Sequence, residues 1–350
     1  MSRLSLVRGR DVCVQPEASR RLLVRRAARL WRARGFPHYV LTDSQIVTSY
    51  TTLRQTSVAS LWQRNEVELS PVGQPLATLF QRGLWSVPVY KTPTLRFWTP
   101  EERFRDPTSF KACLSRAPRI WPDRFVFRPS TVRRALMTFP NTASAMNFRP
   151  TAARAIYGRF SGRDDPVLDF SAGFGGRLLG ALSLDRRYAG IEPTLSSVRG
   201  MHAMVRMLGR LGCAITQPSL LRGCAEELLP TLPGSSFPLI FTSPPYYSKE
   251  RYSLDATQSY RRYPTYDHWR RGFLALVIRE SHRLLERRGT LILNISNVFG
   301  LPIIRDAMEA ARTLFRLQAI CHLRLGKLPY IRYTTRAPFK LEPLLILRKR

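Results

Sequence analysis

From about residue 147 onward, short apolar segments alternate with longer segments of helical pattern, and this alternation limits the possible folds more than any other feature. The apolar segments predict strands at 166–170, 188–191, near 214–217, 238–242, 290–296, near 316–324 and 343–348. Helices are predicted between them at 178–182, 196–211, 268–286 and 302–313. Such alternation is typical of an α/β fold, with a mostly parallel sheet covered by helices on both faces.

The residues before 147 have a different character. Residues 1–35 contain ten Arg and only two acidic residues, and Arg21, Arg25 and Arg29 recur at helical spacing. This pattern fits a basic amphipathic helix on phosphates, an organellar transit peptide, or a solvated arm. Residues 36–146 are rich in Pro and aromatic residues and contain no recognisable motif. We predict a basic arm (1–35), an N-terminal domain with a role such as target recognition (36–146), and an α/β domain (147–350).

The charge of the chain is strongly unbalanced. It has 56 Lys and Arg against 24 Asp and Glu, which gives a net charge of +32. Only six of these cations are Lys, and Arg binds phosphate in a bidentate geometry that Lys cannot match. GC-rich codon usage would also favour Arg over Lys, but it explains the shortage of acids less well. The favoured interpretation is a polyanionic partner, either DNA or RNA.

Other classes of protein are disfavoured by what the sequence lacks. The five cysteines are scattered and no pair has CxxC spacing, so we expect free or buried thiols in a reducing compartment and no metal site. No apolar run approaches 18 residues, so no membrane span is predicted. These features favour a cytoplasmic location. Organellar import is the alternative if residues 1–35 are a transit peptide.

Glycines and acids follow the predicted strands at one rim of the sheet. Asp169, Gly173 and Gly175 come after the first strand, and Glu192 ends the second. The carboxyl ends of parallel strands share one rim, which is where such sheets bind ligands. Glycines permit a tight turn and close approach by a ligand. An acid 23 residues beyond Asp169 can accept hydrogen bonds from both hydroxyls of a ribose, so a nucleoside-bearing cofactor is predicted.

The fourth predicted strand ends in FTSPPYY (241–247). Neither proline can donate a hydrogen bond to a neighbouring strand, so the strand stops in a rigid turn. That turn presents the Ser243 hydroxyl, a carbonyl oxygen and two aromatic rings at the same rim as the glycine turn. A purely structural strand-end turn is the alternative interpretation of this segment.

Together these segments carry a resemblance. VLDFSAGFGGR (167–177) and FTSPPYY resemble the cofactor and catalytic motifs of the S-adenosylmethionine-dependent amino-methyltransferases of DNA, which form N6-methyladenine or N4-methylcytosine. NFRPTAARAIYGRF (147–160) is similar to the family segment that contacts the methionine end of the cofactor, and FKLEPLLILRK (339–349) is similar to its closing strands. The motif order resembles the gamma order, often met in phage and prophage enzymes, and so implies a prokaryotic or phage-infected cell. The resemblance implies a Rossmann-like class I methyltransferase sheet, S-adenosylmethionine as cofactor and double-stranded DNA as partner.

The resemblance also implies roles for individual residues. The catalytic set comprises Ser243, Pro244, Pro245 and Tyr246. In it the Ser243 hydroxyl and the Pro244 carbonyl accept the N–H bonds of the target amine, and Tyr246 stacks on the flipped base. The cofactor-binding set comprises Phe148, Pro150, Asp169, Ser171, Gly173, Gly175, Glu192 and Glu226. Glu226 equally fits a simple acid at a helix N-terminus.

Basic residues are candidates for nucleic-acid contact in two places. Arg251, Arg261 and Arg262 are interleaved with tyrosines in the segment 249–266, which suits a loop that contacts the strand or an ordinary solvated loop. Arg21 and Arg25 belong to the basic N-terminal segment.

We predict a site-specific DNA methyltransferase that modifies an exocyclic amino nitrogen. In the resembled family, Ser at the first position of the SPPY tetrad goes mostly with cytosine N4 and Asp or Asn with adenine N6, so the resemblance favours cytosine N4 as the target. An RNA base methyltransferase fits the charge equally. A non-catalytic nucleic-acid-binding subunit that keeps the fold is a further alternative, although a dead site has no reason to retain the glycine, acid and proline motifs together.

Overall fold

The computed structural model describes residues 9–122, 126–327 and 339–350. Their contacts divide the chain into two compact units, residues 1–40 with 82–146 and residues 41–81 with 147–350. The predicted domain 36–146 is therefore divided, and its residues 41–81 belong to the same unit as the α/β fold. The reason is strand pairing across the sequence, because residues 66–68 form a parallel strand against residues 322–324.

A nine-stranded sheet forms the centre of the second unit. Its strands are β1 (Trp62–Gln63), β2 (Glu66–Glu68), β3 (Pro166–Asp169), β4 (Arg187–Glu192), β5 (Ser219–Arg222), β6 (Phe237–Thr242), β7 (Leu285–Asn294), β8 (Phe315–Lys327) and β9 (Phe339–Lys349). Their spatial order is β1-β2-β8-β9-β7-β6-β3-β4-β5. Strands β3 to β7 pair in parallel, whereas β9 is antiparallel to both β7 and β8. The strand order reverses between β3 and β6, which is where open α/β sheets bind ligands.

Helices cover both faces of this sheet. They are α3 (Asp43–Gln55), α4 (Gln74–Leu79), α8 (Pro150–Phe160), α9 (Gly176–Leu182), α10 (Leu195–Arg210), α11 (Ala225–Leu228), α12 (Ser259–Arg262), α13 (Tyr266–Trp269), α14 (Ala275–Leu284) and α15 (Ile303–Ala311). Successive strand residues point to opposite faces. Accordingly Val167 packs in the core beneath α8 to α10, and Leu168 packs in the core beneath α13 to α15. The predicted α/β class with a Rossmann-like sheet is confirmed.

Some predicted boundaries differ from those of the structure. The third strand was expected near 214–217 but lies at Ser219–Arg222. It is an edge strand whose side chains are mostly exposed, so its sequence lacks the apolar pattern of a buried strand. The predicted helix 268–286 begins at Tyr266, contains a π-helical turn at Arg270–Leu274 and ends at Leu284.

The first unit is helical. Its helices are α1 (Gly9–Cys13), α2 (Glu17–Arg34), α5 (Pro100–Arg105), α6 (Pro107–Ile120) and α7 (Pro129–Met137). One face of α2 is buried in the core of this unit through Val24, Ala27, Ala28 and Trp31. The predicted basic helix thus exists, but it is an integral part of a helical core and not a separate arm. Its arginines Arg21, Arg25 and Arg29 are exposed, and so is Leu22.

Three further observations concern the predictions about thiols, membrane spans and metal sites. All five cysteines are free thiols, of which Cys113, Cys224 and Cys321 are buried. Within the described ranges, no helix is long and apolar enough to cross a membrane. The His, Cys, Asp and Glu side chains that the structure describes do not form a group of three or more that could hold a metal ion.

Candidate active site

The site begins with a buried carboxylate at the end of β3. Asp169 is 0% exposed, and its two oxygens accept four hydrogen bonds from the protein. Oδ1 accepts from the Thr242 hydroxyl at 2.9 Å and from the Ser171 amide at 3.2 Å. Oδ2 accepts from Arg177 Nε and from the Tyr188 hydroxyl, both at 2.7 Å. Asp169 therefore links the end of β3 to the end of β6 and to Tyr188 near the start of β4.

Arg177 is the charge partner of this carboxylate. It lies in the first turn of α9 and is buried, and it also donates to the Ser171 carbonyl. Burial lowers the pKa of Arg177, but the adjacent Asp169 carboxylate outweighs that effect, and the pKa is raised overall. Burying such an ion pair costs free energy because both charges lose their hydration. Removing one partner costs still more, because the remaining charge is then buried without a partner.

The glycine turn between β3 and α9 is held from behind by the segment that begins at Asn147. Gly173 and Gly175 both have positive φ, a conformation that favours glycine. A Cβ on Gly176 would lie 1.9 Å from the Phe148 carbonyl oxygen, so only glycine permits this approach. The Asn147 side chain accepts from the Gly176 amide at 2.9 Å and donates to the Phe174 carbonyl at 3.0 Å.

Glu192, at the end of β4, faces the glycine turn. Its Oε2 accepts from the Gly173 amide and its Oε1 from the Thr194 amide, each at 2.9 Å. Burial raises the pKa of this carboxyl, while the bonds from Thr194 and Gly173 lower it and reduce the rise. Each carboxylate oxygen can accept a second hydrogen bond. Glu192 is thus oriented by the backbone and retains acceptor capacity towards the cavity it lines.

The SPPY turn follows β6. Ser243 Oγ lies 3.4 Å from the Tyr246 hydroxyl, which in turn lies 3.1 Å from the Asn294 carbonyl and 2.9 Å from Glu342 Oε1. Burial, and next the Glu342 charge, raise the pKa of Tyr246. Tyr246, which was predicted to stack on the target base, is therefore tied through its hydroxyl to the ends of β7 and β9. Tyr247 donates to the Pro264 carbonyl at 2.9 Å and packs against Trp269.

The segment 250–263 forms one wall of the cavity, which we call the roof. Its residues Glu250, Tyr252, Thr257, Gln258, Ser259 and Tyr260 line the same cavity as the strand-end residues. Two contacts hold it to the strand ends. Gln258 Nε2 donates to Thr194 Oγ1 at 3.2 Å, and the Cys224 thiol lies 3.5 Å from the Thr257 carbonyl.

Arg262 fastens the far end of the roof. Its Nε lies 3.0 Å from Glu226 Oε1, and its Nη1 contacts Glu227. The Tyr263 hydroxyl also donates to Glu226 at 3.0 Å. Burial raises the pKa of Tyr263 to about 12, with the Glu226 charge as the next cause. Arg262 was predicted to contact nucleic acid, but its guanidinium is engaged by these two acids.

The other two predicted arginines of this segment lie differently. Arg261 is exposed and donates to the Leu254 carbonyl at 2.7 Å, and the Arg251 guanidinium lies over the Tyr260 ring. Nucleic-acid contact by these two side chains stays a prediction.

The cavity has a volume of about 670 Å³, including its opening to solvent. It brings together six of the predicted site residues, namely Ser171, Gly173, Glu192, Glu226, Ser243 and Pro245. The predicted residues Phe148, Pro150, Asp169, Gly175, Pro244 and Tyr246 are not among the described residues that line it. Phe148 and Pro150 lie close to other residues instead, since the Phe148 ring packs on Phe241 and the Pro150 ring is adjacent to Gly73.

The sequence motifs did not identify the roof residues Glu250, Tyr252 and Ser259. Ser259 Oγ is buried and has no hydrogen-bond partner among the described residues. The Tyr252 ring packs on Phe174 of the glycine turn at 5.6 Å, and its hydroxyl donates to Glu250. The only sequence signal was the placement of polar and aromatic residues directly after the SPPY turn.

Comparison with known proteins gives only distant structural similarities. No family model matches the chain, and no curated protein matches it. Solved structures that align include a precorrin-6y C5,15-methyltransferase from Geobacter metallireducens (16% identity, 56% of this chain and 88% of that one, TM-score 0.38). A methyltransferase from Methanosarcina mazei aligns at 15% identity over 55% of this chain and 96% of that one (TM-score 0.38). A geranyl diphosphate methyltransferase in complex with SAM aligns at 12% identity over 57% and 85% (TM-score 0.39).

These similarities are low, so the fold assignment rests on the strand order and the function on the geometry of the cavity.

Proposed function

We propose that this chain is an S-adenosylmethionine-dependent methyltransferase that modifies an exocyclic amino nitrogen of a base in DNA. One observation carries the proposal. The Ser243 hydroxyl, an acceptor suited to an amine, lines the same cavity as Glu192 and Gly173, which suit a nucleoside-bearing cofactor. A donor and an acceptor of a methyl group must meet within one enclosed space, and this cavity offers both kinds of partner.

The residues of the cavity fit S-adenosylmethionine. Glu192 is held by two backbone amides and can accept further bonds from the two ribose hydroxyls. The positive φ of Gly173 brings backbone close to the cavity without a side chain. Ser259 contributes a buried hydroxyl that still needs a partner, and it lies one residue from Gln258, which bonds to Thr194 beside Glu192. When bound, the cofactor supplies an electrophilic methyl group on a sulfonium.

The SPPY turn supplies what a weakly nucleophilic amine needs. The lone pair of an exocyclic amine is delocalised into the ring of the base. The Ser243 hydroxyl and the Pro244 carbonyl can accept the two N–H bonds and so orient that lone pair for in-line attack. The amine nitrogen would form one N–C bond as the bond between the methyl group and sulfur breaks. The electron pair of the broken bond would stay on the sulfur of the leaving S-adenosylhomocysteine, and one N–H proton would pass to solvent. The link from Ser243 to Tyr246 and on to Glu342 fixes the position of the hydroxyl without any metal ligand.

The charge of the chain supports a nucleic-acid substrate. The net charge is +32, and the exposed Arg21 and Arg25 lie on the solvent side of α2, where Arg21 forms a solvent-exposed ion pair with Glu17. Arg261 and Arg251 border the roof. We assign phosphate contact to these four side chains and target recognition to the first unit, and we omit Arg262 because Glu226 and Glu227 engage it. Cytosine N4 is the favoured target, because Ser243 is a neutral acceptor and the smaller pyrimidine suits a site bordered by tyrosines.

To test the proposal, the purified chain is incubated with labelled S-adenosylmethionine and, in separate reactions, with unmethylated duplex DNA, tRNA or rRNA as the acceptor. Products are digested to nucleosides and weighed. We expect N4-methylcytosine in DNA. We also expect Ser243→Ala to lower the transfer rate by about 100-fold or more, by analogy with removal of one oriented polar group from an active site, while cofactor affinity is unchanged.

The nucleoside identified decides between the alternatives. N6-methyladenine in DNA would replace cytosine by adenine as the target. Methylated bases in RNA alone would overturn DNA as the substrate and leave the methyltransferase chemistry intact. Cofactor binding without transfer to any of these acceptors would favour the non-catalytic subunit.

A further inference from the structure

The Asp169 carboxylate has little capacity left for a ligand. It is 0% exposed and accepts bonds from Thr242, Ser171, Arg177 and Tyr188. Asp169 was predicted to bind the cofactor but is not among the described residues that line the cavity. Phe148 and Pro150 belong to the segment predicted to contact the methionine end, and they are not among those lining residues either, so another group must bind that end of the cofactor. The methionine end of S-adenosylmethionine carries an α-ammonium group, and a cation that leaves water needs a carboxylate or several acceptors.

Glu250 supplies a carboxylate at the wall of the cavity, where it could bind this ammonium group. It lines the cavity together with Gly173 and Ser243. Its Oε2 accepts a hydrogen bond from the Tyr252 hydroxyl, and the Tyr252 ring packs on Phe174 at 5.6 Å. Phe174 lies between the two positive-φ glycines of the turn. Glu250 is thus anchored beside the glycine turn. Ser259 lies at the other side of the roof, where its neighbours Gln258 and Thr257 contact Thr194 and Cys224.

The surroundings of Glu250 leave its negative charge poorly stabilised. Burial raises the pKa of the Glu250 carboxyl, the Tyr252 hydrogen bond lowers it, the Glu342 charge raises it, and the Lys249 charge lowers it, with a net rise. Tyr246 also lies in this electrostatic neighbourhood. Burial and the Lys340 charge lower the pKa of Lys249, the Glu250 charge raises it, and the pKa is lowered overall. A bound cation at this position would stabilise the ionised form.

We propose that Glu250 binds the α-ammonium group of the cofactor. This inference rests on the proposed function, because it presupposes an S-adenosylmethionine-type ligand in the cavity. The roof is therefore part of the cofactor site. Tyr252 is a positioning residue, since its hydroxyl orients the Glu250 carboxylate and its ring places that carboxylate against the glycine turn.

Two ligands that differ only in the amino-acid part test the inference by calorimetry on the full chain. S-adenosylhomocysteine carries the ammonium group, and 5′-methylthioadenosine keeps the adenosine and the sulfur but lacks the amino acid. We expect Glu250→Gln to weaken S-adenosylhomocysteine binding by about 10- to 100-fold, as for a lost hydrogen bond to a charged group. Binding of 5′-methylthioadenosine should be unchanged, which also shows that the variant is folded. Glu309→Gln, an exposed acid on α15, serves as the matched control.

The pH dependence gives a second readout with a defined sign. Only the ionised carboxylate attracts the ammonium group, so binding of S-adenosylhomocysteine by the unmodified chain should weaken as pH falls through the raised pKa of Glu250. This contribution should be absent in Glu250→Gln and in the binding of 5′-methylthioadenosine. Tyr252→Phe keeps the ring and removes the donor, so it should weaken S-adenosylhomocysteine binding alone, and by less than Glu250→Gln does.

Each outcome is decisive. If the unmodified chain binds S-adenosylhomocysteine but Glu250→Gln weakens neither ligand, or weakens both equally, the ammonium assignment is wrong and the proposed function stands. If Glu250→Gln does not fold, the same two-ligand comparison on Tyr252→Phe decides. If the unmodified chain binds neither ligand, the proposed function fails together with this inference.

Discussion

The strand ends of the cavity and its roof are built in opposite ways. At the strand ends, polar side chains are largely saturated by the protein itself, since Asp169 accepts four hydrogen bonds and Glu192 accepts two from backbone amides. In the roof, Ser259 retains a buried hydroxyl without a described partner, and Glu250 has a raised pKa. Apart from Glu192, the acids at the strand ends have their hydrogen-bonding capacity used by the protein, whereas the roof keeps polar groups that a ligand could bind.

This difference separates residues that hold the site together from residues that hold the ligand. A motif acid such as Asp169 looks like a binding residue in the sequence, but its four partners make it a structural one. A residue without a motif, such as Glu250, faces the cavity from a loop. Substitutions at the strand ends should therefore act mainly on stability, and substitutions in the roof mainly on ligand affinity, with Glu192 contributing to both.

The largest effect should come from breaking the buried ion pair beneath the glycine turn. Arg177→Met removes the charge partner of Asp169 and leaves a carboxylate stranded in the core. We expect the free energy of unfolding to fall by about 3–5 kcal/mol, measured by urea denaturation. Arg199→Met, at an exposed position of α10, is the control and should have little effect.

The double variant Asp169→Asn with Arg177→Met sharpens this test. Because it removes both charges, it should be more stable than Arg177→Met alone. If Arg177→Met were as stable as the unmodified chain, Asp169 would not be a structural residue of the strand ends. The distinction between Asp169 as a structural residue and Glu250 as a binding residue would then be wrong.

The strand ends could be predicted from the sequence in considerable detail. The apolar segments located β3, β4 and β6 within a residue or so, and the parallel order placed the glycine turn, Glu192 and Ser243 at one rim. These inferences succeed because they depend on local pattern and on a general rule of parallel sheets.

Other features depended on contacts between distant residues. The saturation of Asp169 requires Tyr188 and Thr242, which carry no motif of their own. The engagement of Arg262 requires Glu226 and Glu227, which lie 36 and 35 residues earlier in the chain. The membership of residues 41–81 in the second unit requires β2 to pair with a strand about 250 residues away. The local periodicity of the sequence contains no information about any of these long-range contacts.

The intermediate effect concerns Glu192, which belongs to the strand ends but lines the cavity. Glu192→Ala removes a charged acceptor for two ribose hydroxyls, so cofactor binding should weaken by about 1.5–3 kcal/mol, as measured by calorimetry. Glu286→Ala, at an exposed position of β7, is the control. Because the proposed role of Glu192 is towards the ribose and not the amino acid, the loss should be equal for S-adenosylhomocysteine and 5′-methylthioadenosine. Unchanged affinity for both ligands would remove Glu192 from the site.

The smallest effect should come from loosening the far end of the roof. Arg262 is about one-third exposed and pairs with Glu226, which is nearly buried, and with the more exposed Glu227. Arg262→Gln keeps much of the side-chain length and some donor capacity but removes the charge. Since water screens part of this interaction, we expect cofactor binding to weaken by at most about 1 kcal/mol, with little change in the free energy of unfolding. Arg279→Gln, an exposed position on α14, provides the matched control. A segment that serves mainly to bind the ligand can be loosened without unfolding the sheet beneath it. If Arg262→Gln lowered the free energy of unfolding as much as Arg177→Met does, the roof would therefore be as integral to the fold as the strand ends.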